Sequence, residues 1–147
     1  MTTIAASVKH GTMAADSKCV FGDMHFPVVK IFRLPDGSLL GTAGSALYTA
    51  PFEAAMLAGK VYIPIEPVTS DTDFAALHLT KHGLFLFDVS FYSDRVGHGL
   101  CAIGTGGMIA YSYLLDGESP ALAVTKACAV DINSGLPVQT ETMKGKR

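Results

Sequence analysis

Apolar positions along this chain gather into short runs separated by turn residues, and the spacing of those runs predicts strands in the first third. Residues 3–8 are apolar and β-prone. Lys9-His10-Gly11 is a turn signal, and residues 12–15 can return as the hairpin partner. Residues 28–34, Val-Val-Lys-Ile-Phe-Arg-Leu, form a β-branched run. Pro35-Asp36-Gly37 turns the chain, because proline presets φ and glycine accepts the left-handed position, so residues 38–43 pair back. A helix follows, with Thr49 as cap, Pro51 in its first turn, Glu53 placed for the dipole and Gly59 as its end. Residues 60–74, with Pro64 and Pro67, read as an irregular connection.

The second half predicts a hairpin from residues 74–80 and 84–89 around Lys81-His82-Gly83, then a strand at 99–103. Gly104-Thr105-Gly106-Gly107 leads into a helix at 108–115. Ser119-Pro120 opens another helix that ends near Asn133, with Gly135 as a left-handed stop, and residues 137–142 form a last strand. Strands therefore come before, between and after helices. Two stacked sheets with helices on their outer faces would bury these surfaces, an α+β architecture.

Composition narrows the class. A chain of 147 residues fits one domain, spanning 1–147 with a short connection at about 60–74. Charged residues are 16% against 49% apolar, so part of the surface is expected to be covered by other subunits. A net charge of −2 gives no footprint for nucleic acid, and the basic end, Lys144-Gly145-Lys146-Arg147, reads as a solvated tail. No apolar run has membrane length and no leader pattern is present, so a cytoplasmic protein without membrane association is expected. Cys19, Cys101 and Cys128 are an odd, unpaired count that suits a reducing compartment.

The candidate chemistry begins at Thr2. If Met1 is removed, Thr2 carries a hydroxyl and a free α-amine on one residue. An α-amine titrates near ~8, low enough to take the hydroxyl's proton. Asp16 ends an apolar strand and Lys30 lies within another, where an ion is expensive unless paired. Paired near an N-terminal hydroxyl, they would keep the local field positive and ease alkoxide formation. Other motifs are weaker. The glycine turn at 104–107 lacks the third dinucleotide glycine, since residue 109 is Ile109, and no Walker lysine follows; its glycines read as allowing a close backbone approach. His78 and His82 have helical metal spacing but fall on a strand and turn. No nucleophile elbow marks a Ser-His-Asp triad. Neither a metal nor a cofactor is expected.

Taken in order, Thr2-Thr3-Ile4, Ala14-Ala15-Asp16, residues 30–34, Gly41-Thr42-Ala43-Gly44, residues 102–107 and Asp131-Ile132-Asn133-Ser134-Gly135 resemble the proteasome β-subunit family, most closely its bacterial HslV-type peptidases. The resemblance covers most of the chain and is weakest in the middle. It implies a four-layer αββα sandwich of two stacked, mainly antiparallel sheets, and threonine-type peptide hydrolysis. By resemblance, Thr2 is the nucleophile and Lys30 with Asp16 the supporting ion pair. Backbone N–H groups of the Ala43-Gly44 segment would form the oxyanion hole, a contact worth ~10²–10³ in rate per donor. Thr105 stands where the family has a serine. Asp131 and Ser134 correspond to residues that orient the amine, and Gly41 to the floor of the side-chain pocket.

The same resemblance implies a peptide or unfolded-protein substrate, a homo-oligomeric ring and an AAA+ ATPase unfoldase as a possible partner. The first hairpin is shorter than in the family. Residues 60–74 are too few for its second long helix, which packs between stacked rings. Two alternatives keep the fold: a non-catalytic ring or scaffold protein, and an N-terminal-nucleophile amidohydrolase acting on small amides.

Overall fold

The computed structural model describes residues 2–64, 69 and 72–144. Among the described residues, eleven strands and three helices run in the order β1 (Thr3–Ser7), β2 (Thr12–Ala15), β3 (Lys18–Phe21), β4 (Met24–Pro27), β5 (Ile31–Arg33), β6 (Leu39–Gly44), α1 (Ala46–Leu57), β7 (Phe74–Thr80), β8 (Gly83–Phe87), β9 (Ser93–Arg95), β10 (Leu100–Gly104), α2 (Gly107–Leu115), α3 (Pro120–Val130) and β11 (Gln139–Thr142). One sheet has the order β10-β1-β2-β11 and the other β5-β6-β7-β8-β9, while β3 and β4 form a separate ribbon. Every strand pairing is antiparallel.

Side-chain alternation stacks these sheets into four layers. On β1, Ile4 and Ala6 join Met13, Leu39, Leu77, Leu79 and Leu84 in the core between the sheets. Ala5, on the opposite face, packs with Ala110, Leu114, Val124 and Ala127 under α2 and α3. On β6, Leu40 turns away from the sheet interface toward α1, where it meets Phe52, Phe74 and Phe91. Phe52 is 2% exposed, and its ring lies 4.9 Å from that of Phe74 and 5.0 Å from that of Phe87. The result is the αββα sandwich expected from the sequence, with α2 and α3 on one face and α1 on the other.

The differences from expectation have local causes. The β3–β4 ribbon was not foreseen, because Val20, Phe21, Met24 and Phe26 are all exposed and give no alternation. Of residues 28–34 only Ile31–Arg33 is strand. Before it, the Val28 N–H donates to the Ser17 carbonyl and the Lys30 N–H to Gln139 Oε1, so the chain is fixed by other loops. The cap of α1 is Ser45, not Thr49, and Pro51 sits inside the helix. Its missing N–H leaves the carbonyl of Leu47, an exposed residue, without a helical donor. Gly59, at φ +68°, stops α1 as expected.

Helix α3 ends at Val130 rather than near Asn133. Asp131 leaves helical geometry with ψ 114°, and its carboxylate takes the Asn133 N–H at 3.2 Å. Gly135 is therefore not a left-handed stop; its N–H is used elsewhere. In the irregular connection at 60–74, residues 65–68, 70 and 71 lie outside the described residues, Pro67 among them, as do Met1 and 145–147. No described helix is long and apolar enough to cross a membrane.

Candidate active site

Five segments converge at one end of the stacked sheets: the start of β1, the loop after β2, the lead-in to β5, the glycine turn after β10 and the segment following α3. Asp16 is the fixed point. It is fully buried, where an isolated carboxylate would be costly. Its Oδ1 accepts the Thr3 N–H and the Lys30 ammonium, each at 2.9 Å. Its Oδ2 accepts the N–H groups of Lys18 and Gly135, each at 3.0 Å. One carboxylate thus ties four chain segments together.

Lys30 is buried beside it. Its Nζ donates to Asp16 at 2.9 Å, to the Lys18 carbonyl at 2.7 Å and to Thr2 Oγ1 at 3.1 Å. An ammonium has no lone pair, so Thr2 Oγ1 accepts in this contact. A positive charge is held against the hydroxyl oxygen, so the hydroxyl proton is directed away from Lys30.

A second network supports the other side of β1. Asp131 Oδ2 accepts Thr105 Oγ1 at 2.7 Å and Ser134 Oγ at 2.6 Å. Ser134 Oγ lies 2.6 Å from Thr3 Oγ1, and Thr105 Oγ1 reaches toward the Thr2 carbonyl at 3.5 Å. Burial pushes the Asp131 carboxyl up, but the hydrogen bonds from Ser134, Thr105 and the Asn133 N–H outweigh it and hold the group below the usual carboxylate range. Asp131 is therefore an ionised anchor for two hydroxyls at neutral pH.

The glycines of the 104–107 turn make this approach possible. A Cβ on Gly104, at φ +91°, would stand 1.9 Å from the Thr2 carbonyl oxygen, and one on Gly106 would stand 2.0 Å from Thr3 Oγ1. The close backbone approach read from the sequence is an approach to Thr2 and Thr3. Gly106→Ala is expected to destabilise the fold by about 1–3 kcal/mol, the range for overpacking, and chemical denaturation measures it.

Thr2 opens onto a cleft of about 340 Å³ shared with Lys30, Thr42, Gly44 and Glu53. Gly41 and Ala43 do not line it. Both are buried in β6, and a Cβ on Gly41 would stand 2.9 Å from Ile4 Cγ2 and from Met13 Sδ. Gly41 thus lets the two sheets close together and does not floor the pocket. The cleft position on β6 is its neighbour Thr42, because strand side chains alternate. Thr42 Oγ1 donates a hydrogen bond to the Glu53 carboxylate. Neither residue was singled out as functional from the sequence; the signal available was a polar residue in a strand read as buried, eleven positions before a helical acid.

Burial raises the Glu53 carboxyl above its ordinary value, against the opposing hydrogen bond from Thr42. The folded state therefore binds this proton more tightly than the unfolded chain does. Stability from this group falls as pH rises from about 4.5 through the raised folded value. Glu53→Gln is expected to flatten that part of the stability–pH curve and to be more stable than the parent at neutral pH. Melting temperatures of both proteins between about pH 4 and 8 test this.

A larger cavity of about 650 Å³ lies by the β5–β6 and β7–β8 turns, lined in part by Asp36, Ser38, His78 and His82. Ser38 Oγ is 2.8 Å from His78 Nε2 and donates to Asp36 Oδ1 at 2.5 Å. The order is carboxylate, hydroxyl, imidazole, so the carboxylate does not orient the ring as a triad requires. Burial also lowers the affinity of His78 for a proton, against the nearby Asp36. Among the described residues, no group of three or more His, Cys, Asp or Glu side chains is placed to hold a metal ion.

No protein-family model matches the sequence, and no curated protein matches it. Solved structures do. Thiobacillus denitrificans BPH superposes with a TM-score of 0.71 at 20% identity, over 96% of this chain and 97% of that one. The same protein in complex with epoxomicin gives 0.69 at 20% identity, over 96% and 97%. The eukaryotic HslV from Trypanosoma brucei gives 0.69 at 20% identity, over 95% and 97%. The resemblance read from the sequence is thus matched in three dimensions: this chain has the HslV-like fold of the proteasome β-subunit type.

Proposed function

We propose that the protein is a threonine peptidase whose nucleophile is Thr2, exposed as the N-terminus by removal of Met1. The observation that carries this reading is the Lys30 ammonium 3.1 Å from Thr2 Oγ1 while paired with buried Asp16.

In this reading the Thr2 α-amine takes the hydroxyl proton as Oγ1 attacks the scissile carbonyl. The Lys30 charge stabilises the developing alkoxide, and Asp16 fixes Lys30 in place. The oxyanion that forms on the substrate is met by backbone N–H groups of the Gly44 segment at the cleft wall. The amine passes its proton to the departing peptide amine, leaving an ester on Thr2. Water then attacks the ester, again with the amine as base, and frees the acid and the hydroxyl. Asp131, through Thr105 and Ser134, positions the start of β1 so that amine and hydroxyl stay in register.

The substrate is a peptide or unfolded segment, and the working form is a homo-oligomeric ring of this one domain in the cytoplasm. Exposed apolar side chains support assembly, with Phe21 at 71%, Met108 at 83% and Ile132 at 83% exposure. Fluorogenic peptides test the reading when paired with intact mass. Hydrolysis is expected from chains that have lost Met1 and not from chains that retain it. Equal hydrolysis by both would overturn the proposal. Turnover of small amides with none of peptides would favour the amidohydrolase alternative.

A further inference from the structure

The cleft is lined by groups of both charge signs. Near Thr2 the groups are cationic, and both cations are engaged. Lys30 is paired with Asp16, while Lys18 Nζ donates to the Ile132 carbonyl at 2.6 Å. The cleft residues from β6 and α1 add the Glu53 carboxylate, with the Thr42 hydroxyl as its hydrogen-bond donor. The same cleft is also lined by Val20, Val28 and Val29, which give it apolar surface. No cation pairs with Glu53 among the described residues. A half-buried carboxylate of this kind is stabilised by any cation brought to it.

From this arrangement we infer that the cleft selects peptides with a basic side chain, lysine or arginine, on the acyl side of the cleaved bond. This rests on the threonine peptidase reading and deepens it. Such a side chain has an apolar stem and a charged tip. The stem matches the valine-lined span, and the tip reaches the Glu53 carboxylate. An acidic side chain would place two carboxylates together, and an apolar one would bury Glu53 without a counter-charge. Both are disfavoured by the same physics, since a site built around a polar group rejects ligands that leave it unpaired. The raised proton affinity of Glu53 agrees with a carboxylate lacking a cation, and binding of a basic side chain would lower it.

The test uses the processed, full-length protein and three fluorogenic peptides that differ only in the residue before the cleaved amide: arginine, leucine or glutamate. The expected order of kcat/KM is arginine, then leucine, then glutamate, with arginine favoured over leucine by at least about 10-fold. In Glu53→Gln the arginine-to-leucine ratio is expected to fall toward one. The wild-type order needs no variant, so it stands even if that protein folds poorly. A wild-type preference for leucine or glutamate would overturn the inference, as would an unchanged ratio in folded Glu53→Gln. Labelling of Thr2 by a peptide epoxyketone separates the two levels. An adduct on Thr2 with no arginine preference sinks the specificity alone, while no adduct and no hydrolysis sinks the peptidase reading as well.

Discussion

Thr2→Ala is expected to lose peptide hydrolysis by at least about 10⁴-fold while keeping its fold. The substitution deletes the Thr2 hydroxyl oxygen that accepts from Lys30 Nζ. Alanine, like threonine, is small enough at this position for methionine removal, so the same processing is expected of the variant. The lost contact to Lys30 is a single hydrogen bond, worth about 1–3 kcal/mol with a charged partner. Thr2→Ser, which keeps a hydroxyl on the same residue, is expected to retain measurable turnover. Steady-state kinetics on the three proteins, with thermal melting as the control for folding, checks the contrast. If Thr2→Ala keeps parental activity, the nucleophile lies elsewhere.

Lys30→Met has the second large effect, on activity and stability together. It strips the ammonium from Thr2 Oγ1 and leaves the Asp16 carboxylate fully buried with only backbone N–H donors. Removing one partner of a buried ion pair destabilises by about 3–5 kcal/mol. Hydrolysis is expected to drop by about 10²–10³-fold, the range for loss of one preorganised electrostatic group. The double variant Lys30→Met with Asp16→Asn is expected to recover part of the stability, since no net charge remains buried, yet none of the activity. Chemical denaturation and peptide turnover, measured on the same samples, separate these outcomes. Restored turnover in the double variant would mean that Lys30 matters only as a structural prop.

Much of this site was legible because its physics is local. Asp16 and Lys30 stood out as ions within apolar runs, and buried ions require partners. The glycine turn at 104–107 announced a close approach, though not what would be approached, because that depends on β1 pairing with β10. Gly41 was misread as a pocket floor for a similar reason. A glycine in a strand signals space, and only the stacking of Ile4 and Met13 against it decides which face the space serves. Thr42 and Glu53 escaped notice because each is ordinary alone, and their meeting depends on how α1 packs across β6. The β3–β4 ribbon was invisible to periodicity, since all four of its large apolar side chains face solvent. Two stacked sheets with outer helices were readable from the order of strands and helices, whereas helix ends shifted where side chains such as Asp131 took over the capping.

The most direct measurement is the mass of the intact protein before and after treatment with a peptide epoxyketone. Such a reagent closes a ring on a hydroxyl and an adjacent free amine, so it reports both groups at one residue. The account predicts a chain lacking Met1 that gains the mass of one inhibitor, mapped by fragmentation to Thr2, and no gain in Thr2→Ala. A processed chain that stays unmodified, or an adduct mapped to another residue, would contradict it.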